Sequence, residues 1–260
     1  MTNQTLQAER SGVFVPSFEY EPVQLKEEVR NYPSEWIMPW QSIRRYEQPS
    51  IDTPFPLEYA FYLLGDLAGK TVVDLGCKEG LTSLILAVLG ANVLSVDATE
   101  KNLALTAERA RANGLEHAIT LLHLKNIRIP VDDARADRVL CTGTPSDLDC
   151  LTLARQIRRV LKPGGAAAFV QPLTLVNWFR KFKASLQQQP LTLELVEGMS
   201  RAVGRAGRRR KFSLTARALT RIGVQAKARF SNEFDKWLLR HGPCGRGLSS
   251  LVVWEARKES

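Results

Sequence analysis

Between residues 57 and 171, stretches with two different patterns of hydrophobic and polar positions alternate along the chain. Short apolar or β-branched runs predict buried strands, and the longer stretches between them carry apolar residues at helical spacing. The predicted strands cover 71–75, 92–97, 118–124, 137–142 and 166–170, and the predicted helices cover 57–67, 81–89, 99–113 and 146–161. A regular alternation of strands and helices is typical of an α/β fold, in which a parallel sheet has helices on both faces.

This alternation ends at Gln171, and the rest of the chain follows a less regular pattern. We interpret residues 172–212 as an insertion after strand five, because their apolar positions have helical spacing at first and then alternate as in a strand. Its predicted role is a lid that shapes the acceptor pocket. Beyond the insertion we expect a helix at 214–222, a sixth strand at 224–230 and a final strand at 250–255.

Residues 1–58 have a different character, and we predict that they form an N-terminal arm. They contain seven of the 13 prolines, which prevent a long helix, yet they are too rich in aromatic residues for a disordered tail. Two interpretations stay open: the aromatic side chains anchor the arm on the core, or Trp36, Trp40 or Tyr46 line a substrate pocket. The predicted division is an arm followed by one α/β domain at 59–260 that contains the insertion 172–212.

The composition of the 260 residues is ordinary for a globular protein, with 44% hydrophobic and 24% charged residues. No apolar stretch approaches the roughly 20 residues that a membrane-spanning helix needs, and the N-terminus lacks the basic-then-apolar order of a secretory signal. We therefore expect a cytoplasmic protein without a transmembrane segment. The four cysteines form no CxxC pair, so we expect neither a metal site nor a disulfide framework.

The formal net charge of +9 is concentrated in one segment. Residues 201–229 contain ten basic residues and no acidic residue, so the remainder of the chain is close to neutral. Three interpretations stay open: the segment binds nucleic acid phosphates, it rests on an anionic membrane surface, or it is a solvated face. Phe212 is its one aromatic residue, which argues against the stacking of single-stranded bases on this segment.

The best candidate for chemistry is the loop after the first predicted strand. Asp74 precedes the loop, and Gly76 and Gly80 shape its turn into the next helix. Asp97 ends the second strand, where a carboxylate can bind both hydroxyls of a ribose in an open parallel sheet. Together these signals predict a site for an adenosine-type ligand, with a plain strand-to-helix turn as the alternative.

The spacing of the glycines distinguishes among adenosine ligands. A dinucleotide site has the pattern G-x-G-x-x-G, because its backbone approaches a pyrophosphate, whereas here three residues separate Gly76 from Gly80. Asp74 would repel a phosphate but suits a ligand that carries an ammonium group. We therefore predict S-adenosylmethionine, whose amino-acid end is zwitterionic and whose sulfonium is cationic, in preference to NAD or ATP.

Three short motifs are similar to those of a known family. Residues 74–80 (DLGCKEG) and 91–97 (ANVLSVD) look like its first two motifs, and 159–165 (RVLKPGG) is similar to the turn before its fifth strand. The sequence thereby resembles the class I S-adenosylmethionine-dependent methyltransferases, closely over 57–171 and more loosely in its last helix and strands. The resemblance implies a Rossmann-like, mostly parallel sheet of seven strands, with an antiparallel last strand and the cofactor over the strand ends.

The same resemblance implies roles for individual residues. Gly76 and Gly80 would shape the loop beneath the methionine part of the cofactor. Asp74 would help to hold the amino group, often through water, and Asp97 would bind the ribose. Where the family often has an acid that meets the adenine amine, this chain departs from the pattern, and the side-chain carbonyl of Asn126 is able to accept that hydrogen bond instead. The predicted cofactor-binding residues are Asp74, Gly76, Cys77, Gly80, Asp97, Ala98, Asn126 and Cys141.

Two departures from the family pattern concern this site. The family usually has glycine at the position of Lys78, and because a lysine aimed at a sulfonium would be repelled, we expect its side chain to point to solvent. The family also often has an acid after strand three, where this chain has Leu124-Lys125-Asn126. These departures leave open a weakened site or an inactive member of the family.

No residue stands out as a general base, which methyl transfer needs only when the nucleophile must lose a proton. We expect His117, His123 and His241 to be structural or on the surface, and residues 141–145 (CTGTP) lack the Asn/Asp-Pro-Pro-aromatic motif of amino-group methyltransferases. The predicted function is methyl transfer to a small or medium-sized organic acceptor. The alternatives are an RNA methyltransferase that uses the basic segment 201–229 and a non-catalytic binding protein with the same fold.

Overall fold

A computed structural model describes residues 40–53, 55–142, 149–172, 191–213 and 249–260 of the chain. These residues form six helices, seven strands and a 3-10 turn at Glu116–Ala118. The helices are α1 (Trp40–Glu47), α2 (Pro56–Leu64), α3 (Leu81–Val88), α4 (Glu100–Ala112), α5 (Cys150–Val160) and α6 (Leu193–Val203). The strands are β1 (Thr71–Leu75), β2 (Asn92–Asp97), β3 (Ile119–His123), β4 (Ala136–Cys141), β5 (Leu161–Pro172), β6 (Arg205–Ser213) and β7 (Ser249–Arg257).

The strands form one seven-stranded sheet in the order β3-β2-β1-β4-β5-β7-β6. The first five strands pair in parallel, and β7 runs antiparallel between β5 and β6. This confirms the predicted α/β fold with a mostly parallel sheet and an antiparallel last strand. The strand order reverses at β1, and ligands of open α/β sheets bind outside the carboxyl ends of the strands at such a point.

Helices cover both faces of the sheet, as the apolar periodicity predicts. Helices α2 and α3 pack on one face, in a core that contains the buried side chains of Phe61 and Leu84. Helices α5 and α6 pack on the other face, where the rings of Phe169 and Trp254 stack with their centroids 4.6 Å apart. In the part of the chain that the structure describes, no helix is long and apolar enough to cross a bilayer.

The described end of the N-terminal arm is attached to the domain by apolar contacts. Tyr46 on α1 is buried, and its ring centroid lies 4.9 Å from that of Phe61 on α2. Ile43 on the same helix is buried as well. These contacts favour anchoring for Tyr46 over a position in a substrate pocket. Trp36 and the side chain of Trp40 lie outside the described part, and the division of the chain at residue 58 stays a prediction.

Strand β5 begins earlier than predicted. The sequence Lys162-Pro163-Gly164-Gly165 reads as a break after α5, yet these residues already belong to the strand. The backbone N–H of Gly164 donates to the carbonyl of Lys258 at 3.1 Å, and the N–H of Lys258 donates to the carbonyl of Gly165 at 2.9 Å. Pairing with the residue after β7 therefore joins the two glycines to the sheet although Gly164 has φ +72°, and local turn signals do not reveal this long-range contact.

The predicted insertion requires a correction at its C-terminal end. Residues 193–213 are not all insertion, because they form helix α6 and the edge strand β6. The strand was missed because five of the seven residues 205–211 are basic, which hides the apolar alternation by which a strand is recognised. The predicted helix at 214–222 and strand at 224–230 lie outside the described residues.

Candidate cofactor site

The loop between β1 and α3 turns through residues with positive φ. Gly76 has φ +77° and Gly80 has φ +84°. The N–H of Gly76 donates to the carbonyl of Val96 at 2.8 Å, which joins the start of the loop to β2. A Cβ atom at Gly80 would lie 2.7 Å from Cγ2 and Oγ1 of Thr106 on α4. Position 80 therefore requires glycine for its conformation and for the close approach of α4.

Lys78 adopts the same left-handed backbone conformation, with φ +52°. For an L-residue this region costs about 1–2 kcal/mol. The side chain is exposed, as predicted. Its backbone is held on both sides: the N–H donates to Oδ2 of Asp97 at 2.9 Å, and the carbonyl accepts from Oγ1 of Thr106 at 3.1 Å. The site thus uses the backbone of Lys78, while its ammonium group lies in solvent.

The carboxylate of Asp97, at the end of β2, connects the loop to α4. Besides the bond from Lys78, its Oδ1 accepts from the N–H of Thr99 at 2.9 Å and from Nδ2 of Asn102 at 3.0 Å. A carboxylate has about four acceptor positions, so Oδ2 retains one position for a ligand hydroxyl. The sequence predicts that Asp97 binds both hydroxyls of a ribose. In this conformation its carboxylate has room for one direct hydrogen bond from the ribose.

Two side chains of α4 support this arrangement, although no sequence motif marks them. Asn102 donates to Asp97, and Thr106 Oγ1 contacts the carbonyls of Lys78 and Asn102 at 3.1 Å and 2.8 Å. The available signal was their spacing of four residues, which places both on one face of a helix. Polar residues at that spacing are common on solvated helix faces, so the spacing alone does not single them out.

Asp74 is completely buried in β1 under the first turn of α3. Its Oδ2 accepts from Oγ1 of Thr82 at 2.5 Å and from Oγ of Ser83 at 2.6 Å. Burial raises the pKa of Asp74 to about 6, although these two hydrogen bonds act in the opposite direction. Its Oδ1 is buried with no hydrogen-bond partner among the described residues. Because an unpaired buried oxygen is costly, a water molecule or a cationic ligand group at Oδ1 would stabilise the site.

The two predicted cysteines adjoin the site through their backbone, while their side chains pack in the interior. Cys77 is buried with its Sγ 3.9 Å from Oγ1 of Thr106, and burial raises the pKa of its thiol. Cys141 is fully buried in the core between the sheet and α5. Its neighbour Thr142 donates from Oγ1 to the carbonyl of Gly76 at 3.2 Å, so the end of β4 adjoins the loop.

Asn126 lies on the exposed loop after β3. Its Oδ1 accepts from the N–H of Arg128 at 2.9 Å, which leaves that oxygen one further acceptor position. The loop begins beside the site, because the N–H of Leu124 donates to the carbonyl of Asp97 at 2.9 Å. The geometry is compatible with the predicted bond from an adenine amine, and that role of Asn126 stays a prediction.

Ala98 is exposed immediately after Asp97. Its carbonyl lies 3.1 Å from Nε2 of His123, whose Nδ1 lies 3.2 Å from Oε1 of Glu100. His123 therefore connects the end of β3 to the start of α4, which is a structural role. His117 lies in the 3-10 turn before β3, and His241 falls outside the described residues.

The residues at the carboxyl ends of β1 and β2 fit the predicted cofactor. Asp97 has an acceptor position for a hydroxyl, Asp74 has an unpaired buried oxygen suited to a cationic group, and Gly80 keeps the loop close to α4. Within the described ranges, no group of three or more His, Cys, Asp and Glu side chains is placed to hold a metal ion. The carboxylate oxygens of the site accept hydrogen bonds, and they suit the hydroxyls of an uncharged sugar and the N–H groups of an amine.

Comparison with known families identifies the central part of the chain. Residues 73–169, from β1 to β5, match the family model described as "Methyltransferase domain". The matched segment contains the glycine loop, Asp97, α4 and the end of β4, so it includes the whole of the site described above.

Curated relatives are similar over the same region. The ubiquinone biosynthesis O-methyltransferase of Bordetella avium is 28% identical over 137 residues, which are 51% of this chain and 52% of the relative. The ribosomal protein L11 methyltransferase of Marinobacter nauticus is 35% identical over 101 residues, which are 38% of this chain and 32% of the relative. The chain thus spans about half the length of the first relative and about a third of the second.

Solved structures share the fold at low sequence identity. The geranyl diphosphate C-methyltransferase of Streptomyces coelicolor A3(2), in complex with Mg²⁺, geranyl diphosphate and S-adenosyl-L-homocysteine, superposes with a TM-score of 0.62 over 77% of each chain at 17% identity. The Haemonchus contortus phosphoethanolamine N-methyltransferase 2, in complex with S-adenosyl-L-methionine, superposes with a TM-score of 0.58 at 18% identity, over 85% of this chain and 57% of that chain. Residues 73–169 of this chain are thus similar to a methyltransferase domain, and its seven-stranded sheet shares the fold of these solved methyltransferases.

Proposed function

We propose that this protein transfers the methyl group of S-adenosylmethionine to a small or medium-sized organic acceptor. The observation that carries the proposal is the arrangement of Asp97, the backbone of residues 76–80 and Asp74 at the carboxyl ends of β1 and β2. These groups lie at the reversal point of the strand order, where open α/β sheets bind their ligands.

The residues of the site would bind and orient the cofactor. S-adenosylmethionine supplies, when bound, an electrophilic methyl group on a cationic sulfur. Asp97 would accept one ribose hydroxyl at Oδ2, and Asp74 would face the amino group from below the loop, through Oδ1 or a water bound to it. The loop backbone, held by Asn102 and Thr106, would keep both carboxylates in position. Since an in-line displacement needs little covalent help, positioning of this kind supplies most of the catalysis.

The acceptor side of the site would lie at the neighbouring ends of β4 and β5. The described residues there are uncharged: Cys141 ends β4 and is followed by Thr142, and Gln171 and Pro172 end β5. Gln171 is fully buried, and its Nε2 lies 3.4 Å from the carbonyl of Cys141. Uncharged strand ends beside the site favour an uncharged organic acceptor over a charged one. No general base is present among these described strand ends, which favours a nucleophile that is reactive without one or a base from another segment.

The relatives support methyl transfer without naming the acceptor. One is named for ubiquinone biosynthesis and another for a ribosomal protein, and a structural neighbour contains geranyl diphosphate. These acceptors differ in size and in the atom that is methylated. Two of the structural neighbours contain S-adenosyl-L-homocysteine or S-adenosyl-L-methionine, so we take the donor from them and the neutral character of the acceptor from the uncharged strand ends.

Two measurements test the proposal in sequence. Isothermal titration of the full chain with S-adenosylmethionine and S-adenosylhomocysteine should show binding, and Asp97→Ala should weaken it at least about tenfold, because it removes the acceptor of three hydrogen bonds as well as the ribose contact. Asp52→Ala, which removes an exposed carboxylate from the loop between α1 and α2, is the matched control and should bind like the wild type.

Methyl transfer is then measured as S-adenosylhomocysteine formation with panels of phenolic, carboxylic, amine and prenyl acceptors. Turnover on at least one panel supports the proposal. Absence of cofactor binding at millimolar concentration would instead favour the non-catalytic binding protein. Cofactor binding together with methylation of RNA or protein, and of no small acceptor, would overturn the choice of acceptor class.

A further inference from the structure

The basic strand β6 lies against a set of aromatic rings that are distant in the sequence. The Cζ atom of Arg208 lies 5.6 Å from the ring centroid of Tyr62, and that of Arg210 lies 5.5 Å from the centroid of Tyr59. On α1, Cζ of Arg45 lies 4.8 Å from the centroid of Tyr46. We name these three stacked pairs the arginine–aromatic row. The tertiary structure thus provides the aromatic interleaving that the basic segment lacks in sequence.

Among the described residues, the three arginines of the row form hydrogen bonds with neutral groups. Arg208 donates to the hydroxyl of Tyr62, Arg210 to the carbonyl of Ile51 at 2.8 Å, and Arg45 to the hydroxyl of Tyr46 at 3.0 Å. Their partners are therefore phenol and carbonyl groups, and no carboxylate among the described residues pairs with any of the three. Neutral partners order a guanidinium group without cancelling its charge.

The contact with a ring leaves the N–H groups of each guanidinium available to bind an anion. A guanidinium that lies over a ring uses its flat face, and its five N–H donors remain in the plane of the group. Those coplanar donors match the oxygens of a phosphate, to which arginine binds through two parallel hydrogen bonds. Held by ring and carbonyl contacts, the side chains lose less entropy on binding than free arginines would.

The position of β6 extends the charge around the edge of the sheet. The strand pairs only with β7 in the described sheet, and Arg205, Arg208 and Arg209 are exposed. Arg208 lies on the α2 side, whereas Arg209 lies on the α6 side, 3.3 Å from Glu197. Cations therefore project from both faces of a narrow edge.

We propose that the arginine–aromatic row and the adjoining edge of β6 form a docking surface for the phosphate backbone of single-stranded nucleic acid. The geometry favours such a chain over a membrane. A lipid-binding surface inserts an apolar face, yet the rings of Tyr46 and Tyr59 are buried, and Ile51 and Phe55 are the large apolar side chains exposed nearby. A phosphodiester chain requires aligned donors and an occasional stacking ring, which the exposed Phe55 provides. The proposal stands independently of the small-molecule acceptor.

Fluorescence anisotropy with the full chain and a labelled oligouridine of about 20 nucleotides tests the surface. The wild type should bind at about 50 mM salt and much more weakly at about 200 mM. The variant Arg208→Gln/Arg210→Gln should bind at least about tenfold more weakly, and its salt slope should fall by about 1.4, because each lost phosphate contact on a single strand contributes about 0.7.

The control Arg135→Gln/Arg155→Gln removes the same charge from exposed positions on the β3–β4 connection and on α5, and it should bind like the wild type. Arg208→Lys/Arg210→Lys retains the charge without the planar donors and should have an intermediate affinity, which also separates loss of binding from loss of folding. Equal weakening by the control would show that only net charge matters and would overturn the proposal. So would the absence of binding at low salt, or binding to phosphatidylglycerol vesicles in place of the oligonucleotide.

Discussion

The backbone N–H of Lys78 donates to Oδ2 of Asp97 at 2.9 Å. This hydrogen bond joins the glycine loop after β1 to the acid at the end of β2, two positions that are 19 residues apart in sequence. It depends on the backbone of Lys78, which adopts the left-handed conformation without being glycine. The ligand site therefore contains one strained residue whose side chain contributes no contact to Asp97.

Replacing that residue by glycine should stabilise the protein. Lys78→Gly relieves a conformational cost of about 1–2 kcal/mol and adds about 0.5–1 kcal/mol of chain entropy to the unfolded state, so we expect a net gain of roughly 0.5–1 kcal/mol. Urea unfolding measures it. Lys78→Ala removes the charge but retains the strained φ, and it should give no comparable gain. Equal stabilisation by Lys78→Ala would show that the gain comes from removal of the charge and not from relief of the strained backbone.

Gly80→Ala should be considerably more harmful than the same change at Gly69. Both glycines have positive φ, but a Cβ at Gly69 meets nothing within 4 Å, whereas one at Gly80 meets Thr106 at 2.7 Å. Gly69→Ala should therefore cost about 1 kcal/mol from conformation alone, and Gly80→Ala about 2–4 kcal/mol, because overpacking adds about 1–3 kcal/mol. Thermal unfolding of both variants checks the difference. Similar losses of stability in the two variants would show that Thr106 and α4 move to accommodate the added methyl group.

Asn102 should affect cofactor affinity although it need not touch the cofactor. Asn102→Ala removes a hydrogen bond to the Asp97 carboxylate, and a bond to a charged group contributes about 1.5–3 kcal/mol. We expect cofactor binding to weaken about tenfold or more in isothermal titration. Asn102→Asp should weaken it further through repulsion between the carboxylates. Asn113→Ala, at the other end of α4, is the control, and an equal effect there would point to general destabilisation of the helix.

Asp74 should make stability depend on pH. Its pKa in the folded protein is raised to about 6 from the ordinary value of 3.8. Because the folded pKa is the higher one, the contribution of Asp74 to stability is full below pH 3.8 and is lost as the pH rises through about 6. The stability of Asp74→Asn relative to wild type should therefore increase between about pH 4 and pH 7 and then level off.

Urea unfolding of both proteins over that pH range provides the measurement. Asp52→Asn, which removes an exposed carboxylate, controls for the loss of one charge. A difference between Asp74→Asn and wild type that does not change with pH would show that Asp74 is ionised throughout. If a cationic ligand group meets Asp74, wild-type cofactor affinity should also rise with pH through about 6, and that of Asp74→Asn should not.

The first half of the domain was predictable because its signals are local. Strand β2 covers the predicted residues, from Asn92 to Asp97. The capping and stop residues of α4 located that helix within one residue at each end. The glycine loop and the two acids were recognised from order and spacing, since each lies at the carboxyl end of a strand. In each case the information lies within about ten consecutive residues.

Strand β6 was not predictable in the same way. Its residues Arg208 and Arg210 read as polar, but their guanidinium groups stack on Tyr62 and Tyr59 of α2. Arginine combines an apolar stem with a charged end, so a row of arginines can cover rings on one face of a strand. A pattern that classes arginine only as polar does not detect such a strand.

The amino-acid sequence by itself determined the order of strands and helices between residues 57 and 171 and the positions of Asp74, Gly80 and Asp97, because burial periodicity and turn chemistry are encoded in neighbouring residues. Only the tertiary structure decided which side chains meet. It placed Asn102 against Asp97 and Tyr62 against Arg208, 146 residues away along the chain. The physical reason is that such contacts depend on how whole elements pack together, which no short stretch of sequence specifies.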